Sequence, residues 1–179
     1  MTTAVDSAFL AQVVARAHQA TGRGILYKLG KGGYDPAADY PGSSFLRLLP
    51  PGRVIGCDCS GFVAWCLGVS RDPGRRKDKL WPKWFETTNI WTDANGPRVR
   101  FDSVPLQQLR PGDLVVYPDH KDAAGNHREG HMAVVIDPVQ HAIIDCSSSQ
   151  SKKLHQAITV RDGGFFWRNI ATLGVRWKR

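Results

Sequence analysis

No stretch of this sequence approaches the ~18–20 consecutive apolar residues that a bilayer-spanning helix needs, so no membrane span is expected. A cleavable export signal is also missing. Residues 1–20 carry Asp6 and Gln12 inside a short apolar stretch, and Phe9, Leu10, Val13, Val14 and Ala17 recur at the spacing of an amphipathic helix. Soluble synthesis is the expectation. No internal repeat or low-complexity tract appears. Cysteine is scarce, with four in 179 residues, too few to read as a disulfide framework. Cys57, Cys66 and Cys146 read as buried small hydrophobes, with a Cys57–Cys146 bridge left open. Cys57, Cys59, Cys66 and Cys146 also lack the paired two-to-four-residue spacing of zinc ligands, so no metal and no cofactor is expected. Acidic residues are outnumbered, giving a net charge of +8, which suits an anionic polymer without choosing among them. The basic runs Arg71–Lys79 and Arg176–Arg179 sit in no nucleic-acid-binding motif, so they read as solvated surface and no nucleic-acid partner is expected.

What is present is enough apolar material for a core. At 42% hydrophobic content, residues 1–179 read as one domain, expected to be a monomer. The most informative run is Gly56-Cys57-Asp58-Cys59-Ser60-Gly61-Phe62-Val63-Ala64-Trp65-Cys66-Leu67. Phe62, Val63, Cys66 and Leu67 recur with helical spacing, Asp58 suits an N-cap, and nothing breaks the helix before Gly68. Cys59 then lies in the first turn, where unpaired amides and the helix dipole favour negative charge, so it is the candidate thiolate nucleophile.

A thiolate needs a base, and the chain has six histidines. His18 falls on the polar side of the N-terminal helix, and His120, His127, His141 and His155 fall in turns or polar stretches. His131 differs, because it opens the strand-like run His131-Met132-Ala133-Val134-Val135-Ile136 after Gly130, which would anchor its ring on a rigid element. It is the candidate base.

Three ordered blocks carry a family likeness: Asp58-Cys59-Ser60-Gly61-Phe62-Val63, then Pro111-Gly112-Asp113-Leu114-Val115-Val116-Tyr117, then Gly130-His131 beginning an apolar strand. Together they resemble the NlpC-type murein cysteine peptidases, over most of the chain from Tyr27 onward. The resemblance implies a papain-like α+β fold, with N-terminal helices, the nucleophile at a helix start, and an antiparallel sheet packed against it. It also implies attack on an amide of peptidoglycan stem peptides, favouring the bond from D-glutamate to diaminopimelate or lysine. In that family a polar residue on the strand after the histidine strand orients the imidazole, commonly histidine, asparagine or glutamine. Aligning the apolar residues places Asp145 there, a departure from the common choice, with His141 and Ser147 as rivals if the hairpin is shorter or longer. The resemblance further suggests substrate contacts from Tyr27, Asp58 and Ser60. Packing for Tyr27 and helix capping for Asp58 are the plainer alternatives.

The mechanism implied is acyl transfer from a Cys59 thioester, with His131 as acid and base. Such a protein would act in the cytoplasm or reach the wall by a route that needs no cleaved signal. The rival functions are a thiol acyltransferase or amidase acting elsewhere, and a non-catalytic wall-binding module. Residues 30–51 and 71–100, rich in turn formers and holding Trp81, Trp84 and Trp91, read as loops or short helices beside the cysteine helix. Ala157–Val160, Gly164–Trp167 and Leu173–Val175 read as further strands.

Overall fold

A computed structural model of the chain describes residues 4–35, 37, 56–76 and 81–178. Most of the stretch 30–51 named above therefore lies outside the described residues. The chain is mixed α+β, with five α-helices among the described residues: α1 (Ala4–Ala20), α2 (Cys59–Leu67), α3 (Thr87–Asn95), α4 (Ser148–Leu154) and α5 (Gly164–Arg168). Six strands form one sheet in the order β3-β10-β4-β7-β8-β9, antiparallel at every pairing. They are β3 (Phe101–Val104), β4 (Leu114–Tyr117), β7 (His131–Asp137), β8 (Ala142–Cys146), β9 (Ile158–Asp162) and β10 (Leu173–Trp177). Two short pairs lie outside it: parallel β1 (Leu26–Tyr27) with β2 (Gly56–Cys57), and antiparallel β5 (His120–Lys121) with β6 (His127–Arg128).

The sheet is covered on both faces, which is why β7 reads as a continuous apolar run rather than an alternating one. Met132 and Val134 join a cluster with Phe62, Val63 and Val13, while Ala133 and Val135 join a second with Ile143, Val115 and Phe166. On the first side α1 presents Val13, Ala17 and Ala20 and packs against α2 and β7. Helix α2 is buried along its whole length, so it has no polar face at all. Phe62, with no exposed surface, alone contributes about 1.5–3 kcal/mol of burial energy. The helix starts and stops on sequence signals: the Asp58 side chain accepts from Gly61 N at 2.7 Å, and Gly68 closes it in the left-handed region at φ 71°.

Gly164–Trp167, expected as a strand, is instead the start of α5. Asp162 Oδ1 accepts from Gly164 N at 2.7 Å, closing a turn that ends β9, and Phe166 is buried against the second face of the sheet. The basic run from Arg71 also differs from its expected solvated state. Arg71 and Arg76 are buried, with Arg71 in an ion pair and the Arg76 guanidinium 5.0 Å from the Trp81 ring centre. Trp81 itself belongs to the main core, edge-on to Phe85 and Phe101.

Candidate active site

Cys59 and His131, 72 positions apart in sequence, meet where the start of α2 faces the start of β7. The Cys59 side chain is a close enough neighbour of the His131 imidazole to act on its protonation. On its other side the ring's Nε2 lies 2.6 Å from Asp145 Oδ2, which leaves Nδ1 for the sulfur. Register produces the second contact. Asp145 pairs with Ala133 across β7 and β8, and His131 is two residues from Ala133 on the same face, so the two side chains meet on the diagonal. The rival positions fall elsewhere. His141 occupies the hairpin turn at φ 53° and stacks on Trp167, and Ser147 lies beyond the strand end with its hydroxyl 2.8 Å from that of Ser149.

Asp145 is fully buried and accepts from three donors: His131 Nε2, Arg161 Nε at 2.9 Å to Oδ1, and Arg161 Nη2 to Oδ2. Burial alone would raise its pKa, but the bonds from His131 and Arg161 hold the carboxyl below its ordinary range. An ionised Asp145 is an acceptor only, so Nε2 carries a proton. For His131 burial acts to lower the pKa, and the hydrogen bonds to Asp145 and Cys59 outweigh it, raising the ring to about 10. The imidazole is therefore cationic at neutral pH.

Aromatic residues fix the plane of the ring. Phe166 stacks on His131 with centroids 5.6 Å apart and an interplanar angle of 10°, and Tyr117, opposite His131 across β4 and β7, lies 6.2 Å away. Gly130 is required just before the ring, since a Cβ there would sit 2.5 Å from Thr87 Oγ1 and 2.7 Å from Tyr117 O.

Two cavities flank the pair. One, of about 280 Å³, touches His131 with Tyr117, Ser148, Ser149, Arg161 and Phe165. The other, of about 260 Å³, touches Cys59 with Asp58, Glu86, Trp84 and Asp119. Tyr27, Glu129 and Gly130 line both, so the two cavities adjoin beside the pair. Tyr27 is half-buried at the junction; burial, followed by the nearby Cys59 and Asp58, pushes its hydroxyl pKa upward, so it stays protonated and able to donate. Asp58 is a scaffold residue as well as a cavity-lining one: its carboxylate accepts from Gly30 N at 2.7 Å, Gly61 N at 2.7 Å, Ser60 Oγ at 3.2 Å and Arg71 Nη1 at 2.8 Å. Ser60 in turn accepts from Arg71 Nη2 at 2.8 Å. All four cysteines are free; Cys146 Sγ donates to the Cys57 carbonyl at 3.2 Å, and Cys57 Sγ donates to the Asp58 carbonyl at 3.2 Å.

Sequence reasoning missed Arg71, Arg161, Tyr117, Phe165 and Phe166. Arg71 was hidden in a charge run that reads as surface, and Arg161 in an alternating strand. Tyr117 closes a block already recognised for its Pro-Gly-Asp turn, so it was within reach. No protein-family model matches the chain, and no curated protein matches it either.

Proposed function

We propose that this protein is a cysteine peptidase of the NlpC type, with a papain-like arrangement, that hydrolyses an amide in peptidoglycan stem peptides. One observation carries the reading: a cysteine in the first turn of a buried helix neighbours an imidazole whose far nitrogen is held by a buried carboxylate. A structural cysteine has no need of such a partner, and the adjoining cavities give both groups access to substrate.

In the proposed reaction the Cys59 thiolate attacks the amide carbon, and the carbonyl oxygen takes up the negative charge beside the amides at the start of α2. His131 gives its proton to the departing amine as the C–N bond breaks, leaving a thioester. Water then attacks the thioester while His131 accepts a proton, releasing the carboxylic product and restoring the pair. Proton delivery from His131 assigns the cavity lined by Ser148, Ser149 and Arg161 to the leaving amine, and the cavity lined by Asp58 and Trp84 to the acyl portion.

The test is digestion of purified sacculi by wild type and Cys59→Ala, with released muropeptides identified by mass spectrometry. Stem-peptide fragments from wild type and none from the variant are expected. Equal release by both would end the proposal, and release of nothing by wild type, with a thioester trapped on another acyl donor, would favour an acyltransferase.

A further inference from the structure

We propose that Arg161 is a positioning residue that makes a carboxylate workable as the orienting group, so that Asp145 and Arg161 act as one unit in place of a neutral acceptor. The inference rests on the catalytic role given above to His131. A buried carboxylate without a counter-charge takes up a proton. A protonated Asp145 would no longer hold the Nε2–H of His131 or stabilise the imidazolium.

The sheet supplies the counter-charge by the same diagonal rule that places His131. Asp145 pairs with Thr159 across β8 and β9, and Arg161 stands two residues along on the same face. Its guanidinium forks onto the carboxylate, Nε to Oδ1 at 2.9 Å and Nη2 to Oδ2, the oxygen that also accepts from His131. Phe165 backs the fork, with the Arg161 guanidinium carbon 4.7 Å from its ring centre. The other ionisable groups acting on this cluster are Tyr117 from β4 and Cys59 from α2, and neither brings a positive charge. Arg161 is therefore the counter-ion of Asp145 on the side away from the imidazole. With two of its nitrogens engaged there, it makes a poor independent anion site.

The distinguishing experiment compares Arg161→Met, Arg161→Lys, Asp145→Asn and the double variant Asp145→Asn/Arg161→Met by two readouts. One is release of muropeptides from sacculi. The other is the pH dependence of iodoacetamide alkylation, located to Cys59 by fragment-ion mass spectrometry, which needs no substrate. Arg161→Met should lose roughly 10²-fold in hydrolysis, within the range of general acid–base contributions. Its alkylation profile should have an acid limb moved to higher pH, because Asp145 protonates more readily once its counter-ion is gone. Asp145→Asn should be comparably poor, since it leaves Arg161 facing an amide. The double variant should exceed both singles by about tenfold or more, because asparagine accepts from the ring and no unpaired charge remains. Arg161→Lys, which keeps the charge but loses the fork, should fold and show the same shift in smaller degree.

Unshifted profiles in folded Arg161→Met or Arg161→Lys would overturn the inference, as would a double variant no better than the worse single. Should the methionine variant fail to fold, the lysine variant decides. A shifted profile together with no release from sacculi by wild type would retain the Arg161 unit and discard the peptidoglycan substrate.

Discussion

Two buried carboxylates flank the Cys59–His131 pair, Asp58 and Asp145, and each is tied to an arginine. Their partners make them different. Asp58 binds the amides of Gly30 and Gly61, the Ser60 hydroxyl and Arg71, tying the turn after β1 to the start of α2. Asp145 binds Arg161 and the imidazole itself. One carboxylate holds the helix that carries Cys59, and the other holds the His131 ring. A carboxylate next to a reactive residue thus has no chemical role by proximity alone; its hydrogen-bond partners decide.

The contrast is open to direct attack. Arg71→Met should have the largest effect on stability, because Arg71 is only 3% exposed and its loss leaves the buried Asp58 carboxyl without its ion-pair partner. Breaking such a pair costs about 3–5 kcal/mol, visible as a lower urea midpoint. Arg161→Met should cost less than Arg71→Met, since Arg161 is 24% exposed and more of its charge is already solvated. Equal losses from the two would erase the distinction between scaffold and site.

A further effect is expected from pH. The pKa of His131 is raised by folding, so its stabilising contribution is complete below about 6.5 and is lost as pH rises toward about 10. Unfolding free energy of wild type should therefore fall across that window, and His131→Ala should show a shallower fall. Parallel slopes would mean that the ring's charge is not coupled to folding.

Much of this was legible in the sequence because local signals agreed. Asp58, the apolar run after it and Gly68 mark α2 without ambiguity, and Gly130 followed by apolar residues marks β7. Asp145 was legible only through register, since one residue of slip would have turned its side chain to the other face. The segment from Gly164 misled because Phe165, Phe166 and Trp167 favour strands, whereas the turn made by Asp162 and burial of Phe166 against the sheet settle it as helix. Arg71 and Arg161 were illegible for a different reason. A buried guanidinium looks like any surface arginine until its carboxylate partner, 13 and 16 positions away respectively, is brought to it by the fold.

The most direct test of the central claim follows the nitrogen-15 shifts of the His131 imidazole through pH values between 6.5 and about 10. A Cys59–His131–Asp145 unit predicts that both ring nitrogens keep imidazolium shifts well above the ordinary histidine range and titrate near about 10. A ring that titrates near 6.5, and does so identically in Cys59→Ala, would contradict it.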